Sequence, residues 1–259
     1  MDKKIKLLII LSSSALFVVG WLMFCGYNWS WGPFNKFANI KNGKLEGNKM
    51  EIIVEKQTTE LTDKTILYLG SSVTYGASSL QKSFVEYISE RNDSKYIKEA
   101  VSGTTLADNG PKSYVSRLKR VNTNAKVDLF VCQLSTNDAS RNKTLGEIKD
   151  GNYDVKTTCG AIQYIVSYVK EKFNCPVVFY TGSYYESDRY SKMVDILLEL
   201  SNKMDFYVAD LYTDEEFNNI SKEDYKLYMA DQVHPTRAGY YYWWTPKIEA
   251  KMIEAIKSK

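Results

Sequence analysis

The sequence predicts an α/β domain: a five-stranded parallel sheet covered by helices on both faces. Three observations carry that prediction. From about residue 64, short apolar runs alternate with longer amphipathic stretches. The runs are rich in β-branched and aromatic residues and are bounded by Gly, Asn and Asp. Each is followed by a helical pattern, and uninterrupted apolar strands alternating with helices mark a parallel sheet buried on both sides. The 259 residues, 44% hydrophobic and 25% charged, suffice for one large domain with a true core.

Taken in order, strands are expected over 65–70, 96–101, 127–134, 176–181 and 206–211. Helices are expected over 79–91, 111–121, 155–173, 190–203 and 246–257. Before them, residues 25 to about 60 are rich in Asn, Gly and Lys and are broken only by Met50-Glu51-Ile52-Ile53-Val54. That stretch reads as a tether carrying at most one edge strand, over 50–54. The domain organisation is therefore an anchor over 1–25, a tether over 26–63 and the α/β domain over 64–259.

The N-terminus differs in kind. Lys3, Lys4 and Lys6 precede Leu7 to Phe24, which carries no charge. Eighteen helical residues rise roughly 27 Å, close to the thickness of a hydrocarbon core. Lysines before the span put the N-terminus in the cytoplasm and the domain outside a cell membrane. Trp21, Trp29 and Trp31 would suit an interfacial belt. A cleaved signal peptide is the rival reading, with Val18-Val19-Gly20 as its site, but no Ala-x-Ala is present. Cys25 suggests a lipoprotein, yet bulky Met23 and Phe24 before it are wrong for lipidation. All three readings export the domain. The anchor lysines account for most of the net charge of +3. The remainder offers no electrostatic case for binding nucleic acid.

Export permits disulfides, but spacing opposes the obvious pair. Cys159 and Cys175 bracket a helical pattern and stand roughly 24 Å apart along it, whereas a disulfide needs less than about 7 Å. Buried free thiols are expected for Cys132, Cys159 and Cys175.

Ligands of open parallel sheets bind beyond the carboxyl ends of the strands. Gly70-Ser71-Ser72 follows the first strand, Ser102-Gly103-Thr104 the second, and Ser135-Thr136-Asn137-Asp138 the third. Asp231-Gln232-Val233-His234-Pro235 lies between the fifth strand and the last helix. A lone histidine usually sits on the surface or is satisfied in the core. His234, however, has Asp231 three residues earlier, where a carboxylate can fix the tautomer and leave Nε2 as a base. A serine hydroxyl needs such a partner to act as a nucleophile.

These four segments resemble the SGNH/GDSL hydrolase family, whose blocks supply Ser, Gly, Asn and His in that order. The likeness covers roughly residues 64 to 258. Gly70-Ser71-Ser72-Val73 fits the first block, with Ser71 where the family has Asp, so the nucleophile by position is Ser72. Gly103 matches the second block. Asn137-Asp138 matches the third, with Ser135 replacing its glycine. The fourth is intact in Asp231, His234 and Pro235. The resemblance implies a flavodoxin-like sheet and serine-ester chemistry, with no cofactor and no metal. It also implies an oxyanion hole of the Ser72 and Gly103 backbone amides and the Asn137 side chain.

Of the two departures, Ser71 is small and able to hydrogen-bond a neighbour. Ser135 adds a hydroxymethyl beside the oxyanion site, where it would narrow the site or alter the loop. Neither removes a reacting group. The nucleophile elbow of α/β-hydrolases requires Gly-x-Ser-x-Gly, which Thr74 breaks. A phosphate loop fails for want of Gly-Lys-[Ser/Thr].

The function expected is an exported serine esterase that removes short acyl groups, acetyl above all, from carbohydrate. The same acyl-enzyme resolved by a sugar hydroxyl would make it a cell-wall glycan O-acetyltransferase. A lipase or lysophospholipase lacks an identifiable apolar lid, and an inactive binding module sits poorly with four intact blocks. Tyr184 and Tyr185, after the fourth strand, are candidates to line the substrate pocket. Tyr240-Tyr241-Tyr242-Trp243-Trp244 reads as the start of the last helix packed on the sheet.

Overall fold

In the computed structural model, which describes residues 3–29 and 32–258, the chain opens with helix α1 (Lys3–Trp29). Its segment Ile10–Asn28 has a mean hydropathy of 1.7, long and apolar enough to cross a membrane. Leu16 and Phe17 stand exposed on it, and Trp21 stacks on Phe24. Trp31 lies outside the described residues, as does the side chain of Trp29. A turn over Asn35–Phe37 leads into two short helices, α2 (Ala38–Asn42) and α3 (Glu46–Lys49).

Strand β1 (Thr65–Gly70) runs directly into α4 (Ser72–Tyr75). Then come α5 (Phe84–Asn92), β2 (Lys95–Ala100), α6 (Tyr114–Leu118) and β3 (Leu129–Gln133). Next are α7 (Thr136–Ser140), α8 (Thr158–Phe173), β4 (Val177–Tyr180), α9 (Asp188–Met204) and β5 (Tyr207–Ala209). The chain finishes with α10 (Glu215–Asn218), α11 (Lys222–Tyr228), a π-helical turn (Gly239–Trp244) and α12 (Thr245–Lys257).

The five strands are parallel in the order β2-β1-β3-β4-β5, the flavodoxin-like arrangement. Because side chains alternate along a strand, each strand feeds both cores. Leu67, Leu69, Phe130, Cys132 and Phe179 pack with α8 and α9. Ile66, Tyr68, Val131, Val178 and Tyr180 pack with α5 and α12. The order reverses between β1 and β3, and the crevice beyond that switch point is where such folds bind ligands.

Capping sets several helix starts, α5 and α8 later than periodicity places them and α9 earlier. Helix α5 begins at Phe84 because Ser83 and Glu86 form a capping box. Residues 80 and 81 before it take left-handed conformations, with φ of 57° and 68°. Thr157 and Ser187 cap α8 and α9. All four cysteines, Cys25 included, are buried and outside any disulfide, and burial pushes the Cys132 thiol well above its usual pKa. Tyr240, Tyr241 and Trp244 bury against the sheet as expected, while Tyr242 is 45% exposed.

The expected edge strand over 50–54 does not form. The segment is extended but joins neither edge of the sheet. Ile52 and Val54 pack instead on the α5–α12 layer. Tyr241 fixes this strap, donating its hydroxyl to Ile53 O (3.2 Å) and facing the Glu55 amide at 3.2 Å. Alternating apolar residues suit such a strap as well as a strand. Residues 38–62 are therefore laid on the domain as a collar, where a free tether was expected.

Candidate active site

The nucleophile turn is built from β1 outward. Position 70 must be glycine, since a Cβ there would stand 1.7 Å from Thr74 Oγ1. Gln133, ending β3, reaches across and accepts from Ser71 N (2.9 Å), Ser71 Oγ (3.2 Å) and Thr74 Oγ1 (3.0 Å). The Thr74 hydroxyl has one proton and gives it to Gln133, so Tyr180 OH, 2.6 Å away, donates to Thr74. The hydroxyl of Ser71 thus fills the place of the family acid with a bond to a neighbouring amide oxygen. Ser72 then starts α4, only 9% exposed.

The candidate base, His234, arrives from the loop before the last helix. Asp231 Oδ1 accepts the backbone amides of Val233 (2.8 Å) and His234 (2.9 Å), closing a tight turn. Both carboxylate oxygens lie 2.9 Å from His234 Nδ1. A carboxylate only accepts, so Nδ1 carries the proton and Nε2 is left to accept from Ser72 Oγ at 2.8 Å. Burial alone would raise the Asp231 carboxyl. The His234 ring and the two amides outweigh it and hold the group at about 2.

Two loops form the other side. Gly103 adopts φ +74°, a left-handed conformation that favours glycine. Asn137, in α7, donates one amide hydrogen to Thr104 O (3.0 Å) and keeps the second free. Among the described residues, the Ser72 and Gly103 backbone amides have no acceptor in the protein. Asp138 joins the loops: its buried carboxylate accepts from Leu106 N (2.8 Å) and Ala107 N (2.9 Å). Burial raises the Asp138 pKa despite those donors. Ser135 caps α7 with its side chain directed at Asp138 N, so the extra hydroxymethyl is buried in the loop.

Sequence reasoning missed three residues that hold this arrangement and a fourth that lies beside it. Gln133 is one. Arg117, buried in α6, donates to Gly70 O (2.7 Å), Thr104 Oγ1 (3.3 Å) and Glu99 O, joining the ends of β1 and β2 to the Gly103 loop. Asn48, in α3 and 3% exposed, donates to Ser78 O (2.7 Å) and Asn42 O (2.8 Å) and accepts Arg237 N (2.7 Å). The Ser72 loop and the His234 loop thus meet on one asparagine of the collar. Arg141 is the fourth: its Nη2 lies 3.5 Å from where a Cβ on Gly103 would stand. Buried amide and guanidinium bonds to carbonyls leave no periodic trace in a sequence. Position alone, at strand ends beside a motif, was the available signal.

Tyr184 and Tyr185 enter a ring cluster with Tyr212 and Tyr190. Tyr184 is 55% exposed and Tyr185 half-buried. Neither bonds to Ser72, His234 or Asp231 in the structure. Among the described residues no group of three or more His, Cys, Asp or Glu side chains is arranged to hold a metal ion.

A serine, an imidazole and a carboxylate in one hydrogen-bonded row, at the switch point of a flavodoxin-like sheet, define a serine-hydrolase type of site. Residues 68–242 match the GDSL-like lipase/acylhydrolase family, and the chain belongs to it: the protein is a serine ester hydrolase. Among curated proteins none matches. Solved structures share the fold. A Lactobacillus plantarum protein superposes with a TM-score of 0.63 at 18% identity, over 73% of this chain and 96% of its own. Axe2, an acetylxylan esterase of Geobacillus stearothermophilus, gives 0.52 at 16% identity over 74% and 94%. The acetyl xylan esterase AlAXEase gives 0.55 at 15% identity over 72% and 98%.

Proposed function

We propose that the protein is an exported esterase, held at the cell membrane by α1, that removes acetyl groups from carbohydrate through Ser72, His234 and Asp231. One observation carries the reading: the unbroken relay from Ser72 Oγ to His234 Nε2 and from Nδ1 to Asp231, with all contacts at 2.8–2.9 Å. The acetyl and carbohydrate assignments rest on the shared fold of Axe2 and AlAXEase. The membrane assignment rests on the length and hydropathy of α1.

In this mechanism Ser72 Oγ attacks the ester carbonyl and its proton passes to His234 Nε2. Asp231 steadies the imidazolium through Nδ1. The developing oxyanion receives the amides of Ser72 and Gly103 and the free hydrogen of Asn137. Donors fixed in advance at such a position need no reorganisation as charge develops. The alcohol leaves with the proton from His234, and water then cleaves the acyl-serine by the same relay.

A series of aryl esters of increasing acyl length tests the substrate class on the intact chain. A steep preference for acetate is expected. Turnover persisting to long chains would favour a lipase, and acetyl transferred to added oligosaccharide instead of released would reassign the protein as a transferase.

A further inference from the structure

Beside the nucleophile lies a groove of about 590 Å³, walled on one side by the domain and on the other by Gly32 and Lys36, from the segment that leads into the collar, and by Asn39 at the collar's start. The volume is in the range of small-molecule sites. Two of its lining residues tie it to the reaction. Tyr75 closes α4, the one-turn helix that Ser72 opens, so the groove starts about 5 Å along the helix axis from the nucleophile. Ser102 immediately precedes Gly103. The remaining polar lining is Asn39 and Gln81, with Lys36 and Lys112.

The chemistry of that lining is distinctive. A tyrosine ring, two amides and a hydroxyl suit a sugar, which presents both apolar faces and hydroxyls. The charge is one-sided: two lysines line the groove and no Asp or Glu does. Among the described residues neither lysine pairs with a carboxylate. Their backbones are held in place. Lys112 O accepts from the buried Arg117 Nε at 3.0 Å. Lys36 sits in a turn closed by Phe37 N donating to Phe34 O (2.9 Å). Arg141 extends the positive rim to the Gly103 loop.

A separate observation concerns the backbone. Leu80 and Gln81 are consecutive non-glycine residues at positive φ, a conformation that costs energy and concentrates at functional sites. It sets Gln81 in the groove wall, with its amide donating to Gly76 O at 2.9 Å.

We propose that this groove is the glycan subsite and that it selects an anionic saccharide, bearing carboxylate or phosphate, through Lys36 and Lys112. Its place in the reaction rests on the esterase reading above, but its occupancy does not. Lys36, in the Asn35–Phe37 turn just ahead of the collar and before the family match at residue 68, supplies half of the selectivity.

The test uses the full chain with Ser72→Ala, so that binding is read without turnover. Affinity electrophoresis at low salt compares polygalacturonate, phosphomannan and neutral xylan. Exposed ion contacts contribute little each and are screened by salt. A polyanion is therefore expected to bind about 5- to 30-fold more tightly than xylan, with the margin shrinking at high salt. Adding Lys36→Glu and Lys112→Glu should abolish the margin, and the Gln pair should reduce it. These variants retain Lys3, Lys4 and Lys6, so polyanion binding at the N-terminus would survive and overturn the proposal. Equal binding of xylan and both polyanions would overturn it too. Whichever polyanion binds more tightly identifies carboxylate or phosphate. Failure of the unaltered enzyme to cleave an aryl acetate would sink the esterase reading alone, leaving the binding result in force.

Discussion

The two sides of the catalytic edge hold their residues by different physics. On the family side, the loops after β1, β2 and β3 are locked by buried bonds from Gln133, Arg117 and Asp138. On the collar side, two neutral asparagines do the work: Asn42 donates to Ala77 O (2.8 Å), and Asn48 joins Ser78 to Arg237. The first set arranges the candidate oxyanion donors around Ser72. The second ties the serine loop to the histidine loop. The candidate reacting residues thus lie in family motifs, while a segment outside those motifs bonds to both of the loops that carry them.

The sharpest break on the family side is the pair of adjacent serines. Ser72→Ala should lower aryl acetate turnover by about 10⁴-fold or more, as loss of a nucleophile does elsewhere. Ser71→Ala loses only a 3.2 Å bond to Gln133 and should stay within about tenfold, since one neutral hydrogen bond contributes about 1 kcal/mol. Measured kcat values in the opposite order would reverse the assignment. Asn137→Ala comes next. It removes a single oxyanion donor and is expected to cost about 10²–10³ in kcat with little change in KM.

This contrast also explains what was legible in the sequence. The parallel sheet follows from apolar runs and crossover helices, its flavodoxin-like order only from the family resemblance, and Ser72, Asn137, Asp231 and His234 stand out as polar residues beyond the strands. The collar was not legible. Asn42 and Asn48 lie in a stretch whose Asn, Gly and Lys content is that of a linker, and their partners are main-chain carbonyls distant in sequence. Ile52 and Val54 alternate as a strand would, yet their apolar faces meet helices, not a sheet edge. Sequence pattern reports which face is buried, not what covers it. Ser71 is expected to hydrogen-bond a neighbour, and Ser135 to narrow the site or alter the loop. In the structure each hydroxyl finds a bond, to Gln133 and to the first turn of α7.

Asn48→Ala probes the collar. It strands the buried Ser78 and Asn42 carbonyls and the Arg237 amide, at about 2–3 kcal/mol in stability. If Asn48 sets the spacing of Ser72 and His234, kcat should also fall about tenfold at a temperature where the variant is fully folded. KM for an aryl acetate should hold. Val166→Ala, which hollows the opposite core, supplies the control: similar destabilisation with an unchanged rate of Ser72 labelling by a fluorophosphonate. Equal labelling rates in the two variants would reduce Asn48 to a structural role.

Acid separates the two sides by a smaller effect. Asp231 is held at about 2 in the fold, against about 3.9 in an unfolded chain. A depressed carboxyl stabilises the fold above the unfolded value, and that contribution fades as pH falls through about 4 toward 2. The side chain is 55% exposed, so solvent screening keeps the contribution below about 1 kcal/mol. Asp231→Asn should therefore be slightly less stable than the unaltered protein at pH 6 and indistinguishable from it near pH 2. The deficit of Asn48→Ala should be the same at both, because the amide and its carbonyl partners do not titrate. Thermal unfolding of the three chains at both pH values gives the answer. A deficit of Asn48→Ala that vanished in acid would mean that the collar too depends on charge.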